Sequence, residues 1–516
     1  MEDRKIIQAN NRTLVVGGGV GGIKAALDLA EAGRDVILID KAPSIGGLMT
    51  QLDRTFPTNN CDLCTLSPHL AESGRQLHIE LLPLTQLINV EGEAGDFKVT
   101  LGTHPRFIDL RKCTACGDCF KEFPECVRFD PGLDHRAPTC MRYPRATPYA
   151  YSIEIGKCSN IAQLVEVCRA GAILAEDSEK TLEFQVGSIV LATGASVFDP
   201  GGLDGYGYGG CPNVLTGLEY EQILSASGPT LGNLLRPSDG KQPKRIAWIQ
   251  CVGSRSVKDS SLPYCSSACC MYALKEAMVT KERFQDDIET VIFYMDMRTS
   301  GKDYELYLNR AKKEFGIRFE RTRPHTVEPV PGSDDLSITY IPVGASMLKK
   351  EIFDMVILST GFVIPPDMVE LADRLGVELN EHHFLKTGDF NPVTSSKPGI
   401  YVCGLLESPK DIPETMVQAS AAACMASQWL KASEELEEEE GDLPPERDVS
   451  LEEPRVGVFV CDCGYNIGGL IDVPQLVEYG RRLPQVVVSQ MIGHGCSLES
   501  LEDIQRQIVE KSLNRV

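Results

Sequence analysis

The chain has 516 residues, with 73 acidic against 51 basic side chains and a formal net charge of −22. A nucleic-acid backbone is bound by clustered Lys and Arg, so this balance excludes nucleic acid as the expected partner. With no apolar run of about 18 residues and no charged-then-apolar leader, the sequence predicts a soluble, cytoplasmic chain of about three domains that does not span a membrane.

Leu14 to Val16 is an apolar strand that runs into Gly17-Gly18-Gly19-Val20-Gly21-Gly22 and then into a helix predicted over Ile23 to Ala32. This is a dinucleotide fingerprint. Gly17 allows the tight turn, Gly19 lets backbone N–H groups approach a pyrophosphate, and Gly22 lets the helix pack on the strand. The helix N-terminus adds partial positive charge. A second strand, Asp35 to Ile39, ends in Asp40, about 20 residues on, where a carboxylate meets a ribose hydroxyl. Lys41 and the pair Gly46-Gly47 follow, then β-rich stretches at His78 to Leu82 and Phe97 to Leu101.

From Arg106 to about Asp177 the chain turns rich in Cys, Pro and Arg and loses its periodicity, as a small module held by clusters does. The strand pattern returns in Val186 to Leu191, closed by Ala192-Thr193-Gly194, and again in Met355 to Leu358, closed by Ser359-Thr360-Gly361. These marks bracket a second αβ unit over about 240 to 362, with strands at Arg245 to Gln250 and Thr290 to Tyr294. Gly399 to Gly404 resumes the first fold, and Pro413 opens a helix predicted over about Glu414 to Ala432. Residues 433–454 carry 11 acidic side chains against one Arg and read as a solvated linker. Beyond it, Val456 to Val460 starts a short αβ segment that stops at Val516, which reads either as a piece of a longer chain or as a unit whose last cluster is incomplete.

Nineteen cysteines in a cytosolic chain are not a disulfide framework, because thiols there stay reduced. They fall in runs at Cys61/Cys64, Cys113 to Cys168, Cys251 to Cys270 and Cys461 to Cys496, the clustering that metal ligation produces. Cys211, Cys403 and Cys424 stand alone, and apolar neighbours make Cys403 and Cys424 expected core residues. The strand Arg245 to Gln250 enters Cys251-Val252-Gly253-Ser254-Arg255 instead of a glycine fingerprint, so a second pyrophosphate has no seat in this unit.

The fingerprint, Phe56-Pro57-Thr58-Asn59-Asn60-Cys61-Asp62-Leu63-Cys64, the inserted ferredoxin-like cysteines, Cys251-Val252-Gly253-Ser254-Arg255, Cys265 to Cys270 and Pro409-Lys410-Asp411-Ile412-Pro413 together resemble the A subunit of heterodisulfide reductase. The resemblance covers nearly the whole chain. It implies an α/β, thioredoxin-reductase-like two-unit flavoprotein with an inserted ferredoxin-like module and a small C-terminal αβ segment. In these terms residues 1–105, 179–239 and 363–432 form the FAD-binding domain, 106–178 the inserted module and 240–362 a degenerate nucleotide-binding-like domain carrying a cluster. The acidic linker spans 433–454 and an incomplete C-terminal iron–sulfur domain 455–516.

The resemblance also implies the cofactors and partners: FAD, at least two [4Fe-4S] clusters with room for three or more, other redox subunits, ferredoxin-like carriers, and a homodimer within a larger assembly. It makes the chain one subunit of an oxidoreductase, an electron hub that often bifurcates electrons. Benzoyl-CoA reductase accessory complexes and quinone-interacting complexes use similar subunits. Gly17, Gly19, Gly21, Gly22, Asp40, Lys41, Gly47, Thr193, Gly194, Gly404 and Thr415 are the expected flavin-binding residues. The dipole of a helix starting at about Thr415 to Val417 and the side chain of Lys410 would then tune the reactive ring. Cys251, Cys265, Cys269 and Cys270 are implied to hold one cluster beside the flavin, and Cys461, Cys463 and Cys496 to belong to the C-terminal domain.

In a two-cluster ferredoxin the first C-x₂-C-x₂-C triplet shares its cluster with the last cysteine of the second motif. Here Cys113, Cys116 and Cys119 are followed by Phe123 at the fourth position, and the second motif reads Cys158, Ile161, Leu164 and Cys168. One standard cluster on Cys113, Cys116, Cys119 and Cys168 is expected, with Cys126, Cys140 and Cys158 as structural thiols or an unconventional second site; the competing fourth ligand is Cys126, closer in sequence but reached through a Pro124-containing loop and outside the ferredoxin register. Cys61 and Cys64 are either a redox-active dithiol or cluster ligands. An NAD(P)H-dependent flavin disulfide reductase using that pair is the rival of another class, and it lacks its nucleotide fingerprint. A scaffold with vestigial sites leaves the ordered cysteine spacings unexplained.

Overall fold

The computed structural model describes residues 12–122, 146–154, 156, 158, 161–257, 261–284, 288–430, 448–462, 467–468, 471–493, 495 and 498–516. Most of the acidic linker, together with Phe123, Cys126, Cys140, Cys463 and Cys496, lies outside the described residues.

The strand Arg12–Val16 pairs in parallel with Asp35–Asp40 on one side and Ser188–Leu191 on the other; Ile79–Pro83 and Ile400–Val402 complete a five-stranded parallel sheet. One face is covered by the helices Val20–Glu31 and Ile412–Ser427, which meet through Ala25, Ala26, Ala419 and Ala422, all fully buried. Small side chains let two helix backbones approach closely. The other face packs on an antiparallel sheet of Thr85–Glu93, Asp96–Thr103 and Lys180–Val186, through Phe97, Val99 and Leu101. The apolar run from Val186 to Leu191 is therefore two strands rather than one. Its first part ends the antiparallel sheet, Gly187 turns the chain, and its second part enters the parallel one.

The second unit is another five-stranded parallel sheet, in the order Val214–Thr216, Met355–Thr360, Arg245–Val252, Glu289–Tyr294 and Arg318–Arg321. Its first strand precedes residue 240, so the sheet takes in a stretch that the sequence places with the flavin domain. Helices Gly217–Leu224, Cys269–Phe284 and Tyr304–Lys313 close one face around Trp248, and a small antiparallel sheet closes the other around Phe293. An antiparallel ribbon, Ser196–Val197 with Phe362–Val363, ties the two units together.

The insertion has short helices at Asp118–Glu122 and Ile161–Val167 and a core of its own around Phe107, Ile108, Leu164 and Ile173. Buried Arg106 fastens it to the first unit, donating to the Tyr151 carbonyl at 3.1 Å and to the Pro43 carbonyl. The C-terminal segment pairs Val456–Cys461 in parallel with Val486–Ile492, flanked by helices Val473–Arg481 and Leu498–Glu510; a parallel bridge links Val456 to Arg515. No helix among the described residues is long and apolar enough to cross a membrane.

Candidate flavin cavity and cysteine groups

The glycine turn is built as its spacing requires. Gly17 sits at φ +106°, and a Cβ there would meet the Ala192 carbonyl oxygen at 2.4 Å. A Cβ on Gly22 would stand 1.8 Å from the Gly17 oxygen, so any side chain at that position pushes the helix off the turn. The helix Val20–Glu31 has Gly19 at its N-cap with no side-chain cap, which leaves its first N–H groups for an anion. Asp40 accepts from Gly18 N and from Ala42 N, each at 2.7 Å. A carboxylate has about four acceptor sites, so ribose contact remains open to it.

These residues line one cavity of about 340 Å³ between the two αβ units. Gly17, Gly19, Gly21, Asp40, Lys41 and Gly47 form one end of its wall. Thr193 and Gly194 follow the strand Ser188–Leu191, Gly404 and Lys410 stand on the segment after Ile400–Val402, and Thr415 lies near the start of the helix Ile412–Ser427. Gly22 packs the helix against the turn instead of lining the wall. The buried Thr193 Oγ1 has no partner, and Gly19 and Gly47 are bare of side chains where they face each other. An open helix end, a glycine cradle and an unpaired hydroxyl are the donor set that an FAD pyrophosphate and ribose require, so the residues present fit that group.

Lys410 lies on the cavity wall with its Nζ already engaged: it donates to Gly404 O at 2.8 Å, Glu407 Oε2 at 2.7 Å, and both Ser408 oxygens at 3.1 Å. The returning helix starts at Ile412, earlier than expected. Asp411 caps it in a reciprocal box with Glu414, and Pro413 occupies the first turn. Cys403 is buried as expected, at the cavity wall, whereas Cys424 is exposed on the outer face of that helix and is not a core residue.

A family model for FAD dependent oxidoreductases matches residues 13–62, the stretch holding the glycine turn and Asp40. The A subunit of H(2):CoB-CoM heterodisulfide,ferredoxin reductase from Methanothermobacter marburgensis is 39% identical over 428 residues, covering 82% of this chain and 64% of that protein. A protein of Archaeoglobus profundus, named as similar to the A subunit of heterodisulfide reductase, is 34% identical over 475 residues, covering 83% of this chain and 67% of its own. The chain belongs to the family of heterodisulfide reductase A subunits. It spans less than two thirds of the Methanothermobacter protein's length. Among solved structures, thioredoxin reductase of T. acidophilum is similar over 81% of this chain and 98% of its own, at 12% identity and a TM-score of 0.45.

For this family member the thiols fall into groups. Cys251 ends the central strand of the second unit at φ +60° and hydrogen-bonds Cys269; Cys270 lies within electrostatic reach of Cys251, Cys265 and Cys269. Ser267 N donates to Cys265 Sγ at 3.4 Å, and Arg255, paired with Asp296, reaches Cys251 Sγ at 3.8 Å. Ala268 and Tyr272, which flank the Cys269-Cys270 pair, also line the flavin cavity. In the insertion, Cys113, Cys116, Cys119 and Cys168 line one small void, with Ala115 and Gly117 in left-handed conformations between them and Ala172 N donating to Cys168 Sγ at 3.3 Å. Cys158 and Ile161 pack at the edge of the module's core, and Leu164 is fully buried in it. No three metal-binding side chains among the described residues close on a single-ion point. A cubane spaces its thiolates more widely than one ion does. In the C-terminal segment, Cys461 Sγ accepts from Gly495 N at 3.3 Å.

The sequence reading missed the charged floor of the cavity. Lys275 pairs with Glu221, and next to it Glu276 accepts from Trp248 Nε1 at 2.8 Å; all three carboxylate or ammonium groups line the cavity and are 2% exposed or less. Behind them Asp53 pairs with Arg283 at 2.6 Å, and its N–H donates to Glu221 at 3.0 Å. Burial lowers the Lys275 pKa and raises that of Glu276, the neighbouring opposite charge opposing each shift. The signal was present as polar residues on the buried face of an otherwise apolar helical stretch, Met271 to Val279.

Proposed function

We propose that this chain is the FAD-containing iron–sulfur electron-transfer subunit of a heterodisulfide-reductase-like complex. Bound FAD would exchange electrons in pairs, and [4Fe-4S] clusters would carry them singly to and from partner subunits. The observation that carries this reading is the shared wall: Ala268 and Tyr272 border both the flavin cavity and the group Cys251, Cys265, Cys269 and Cys270. In a pyridine-nucleotide enzyme the end of this strand seats a pyrophosphate. Here the strand end holds a buried thiol, and the next glycine, Gly253, has Phe198 within 2.2 Å of where a Cβ would stand.

In this reading the glycine turn and the uncapped helix hold the pyrophosphate, and Asp40 holds a ribose hydroxyl. The Lys275–Glu221–Glu276 floor keeps a mobile proton and a cation inside a wall that excludes bulk water. Lys410 anchors the returning loop through Glu407 and can redirect its ammonium toward the ring. The four thiols of the insertion form a second cluster site, seated on the flavin unit through Arg106. Other redox subunits and ferredoxin-like carriers are the partners this wiring calls for.

Anaerobic stopped-flow bleaching of the flavin in the purified chain tests the proposal. Rapid reduction by reduced ferredoxin, with slow and unsaturable reduction by NADH and NADPH, is expected. Fast saturable reduction by either nucleotide would instead establish the disulfide-reductase rival.

A further inference from the structure

The four thiols at the flavin wall differ from the four of the insertion in what surrounds their sulfurs. Arg255 Nη1 reaches Cys251 Sγ at 3.8 Å, and Ser267 N donates to Cys265 Sγ at 3.4 Å. In the insertion Ala172 N donates to Cys168 Sγ at 3.3 Å, and among the described residues no guanidinium bonds a sulfur there. Buried Ser254 and Ser266, each beside this group in the chain, keep hydroxyls without a partner. The two are gathered at one point, since a Cβ on Gly361 would meet Ser254 Oγ at 2.7 Å and Ser266 Oγ at 3.6 Å. A buried hydroxyl with no acceptor costs free energy, and the sulfides of a bound cluster are acceptors, so the residues present fit that group.

Arg255 is held at both ends. Its backbone stands at φ +56° and its N–H donates to Tyr264 O at 3.1 Å, while Ser256 N donates to Leu262 O at 3.0 Å, so the loop after Val252 folds back on itself. Its guanidinium is paired with Asp296, two residues beyond the strand Glu289–Tyr294: Nη1 donates to Oδ1, and Nη2 to Oδ2 at 3.3 Å. Arg298 Nε approaches the same carboxylate at 3.6 Å. A planar fork can serve a carboxylate and a sulfur together, and it stays protonated at every working pH. Its position answers a cost. Cys251, Cys269 and Cys270 are buried, and a [4Fe-4S] cluster on such thiolates takes up one electron and no proton, which adds one negative charge away from water.

We propose that Arg255 is a positioning residue for the flavin-side cluster, acting through Cys251 Sγ to favour the reduced state and raise the reduction potential, and that Asp296 limits the rise by neutralising part of its charge. The proposal rests on the assignment of a cluster to Cys251, Cys265, Cys269 and Cys270. Hydrogen bonds to sulfur and net charge are two of the levers that set such a potential. Arg255 supplies both from one side chain, whereas Asp296 brings charge of the opposite sign. Removing the one and removing the other therefore move the potential in opposite directions. An ion pair that only braced the loop would give no such opposition, because losing either partner breaks the same brace.

The test is an anaerobic redox titration of the purified full chain with its cofactors, followed by electron paramagnetic resonance. The signal of the flavin-side cluster is the one missing from Cys269→Ala. Arg255→Gln should lower its midpoint by the equivalent of roughly tenfold in the reduced-to-oxidised ratio, about 59 mV for one electron. Arg255→Lys should recover part of that fall, because an ammonium keeps the charge and loses the fork. Asp296→Asn, which leaves the guanidinium in place, should raise the midpoint. Iron content and the signal missing from Cys168→Ala should match the wild type in all three variants. A shift of the same sign in Arg255→Gln and Asp296→Asn, or an unchanged or lowered midpoint in Asp296→Asn, overturns the proposal and leaves the cluster assignment standing. A Cys269→Ala chain with full iron and every wild-type signal overturns both.

Discussion

Gly22→Ala puts a number on the glycine turn. The added Cβ would stand 1.8 Å from the Gly17 oxygen and 3.3 Å from Ala192 Cβ, whereas ordinary contact begins at 3.4 Å, so the start of helix Val20–Glu31 must retreat by the 1.6 Å shortfall. Neither neighbour can yield, because one is backbone and the other is 8% exposed in the sheet core. A retreat of that size takes the first N–H groups of the helix out of hydrogen-bond range of a pyrophosphate seated on the turn. Hydrogen bonds to charged groups contribute about 1.5–3 kcal/mol each, so losing two weakens binding by about 3–6 kcal/mol, or roughly 10²- to 10⁴-fold at about 1.4 kcal/mol per decade. The assay is FAD bound per chain after desalting, with Kd from quenching of flavin fluorescence, on protein whose iron content matches the wild type. Gly202→Ala, where a Cβ meets nothing within 4 Å, is the control. Wild-type FAD affinity in Gly22→Ala would refute the assignment of the phosphate to this helix.

The cluster groups make separate predictions. Cys269→Ala should remove about one cluster's worth of iron while FAD stays bound, and unchanged iron would rule out that ligand set. Cys168→Ala should lose the insertion's cluster, whereas Cys158→Ala should keep it; the opposite pattern would break the ferredoxin register. Glu276 titrates at about 8 in the fold against 4.5 in the unfolded chain, so its contribution is full below 4.5 and lost as pH rises through about 8. Glu276→Gln retains an acceptor for Trp248 and removes that loss. Its urea midpoint, followed by tryptophan emission, should therefore gain on the wild type as pH rises across this window, and parallel profiles would contradict it.

Legibility tracked distance along the chain. The glycine turn, Asp40 and the thiol triplet Cys113, Cys116 and Cys119 were readable because each is a local device: a few φ values and a fixed spacing set its geometry whatever packs around it. The break at Gly187 was hidden, because an apolar run reads alike whether it feeds one sheet or two. Cys424 was misjudged for a related reason: composition places a residue on a helix and leaves open which face of the helix points inward.

By itself, then, the sequence determined the dinucleotide fold and the replacement of a second glycine fingerprint by Cys251-Val252-Gly253-Ser254-Arg255, and its ferredoxin register pointed to Cys168, which lines one void with Cys113, Cys116 and Cys119. Only the tertiary structure decided the charged floor. Glu221 and Lys275 are 54 residues apart, and Asp53 and Arg283 are 230 apart; each alone reads as an ordinary polar residue on a helix or loop. They become one site because two parallel sheets and the ribbon between them press the helices Gly217–Leu224 and Cys269–Phe284 against the cavity. There desolvation turns side chains that water would screen into a strongly coupled set.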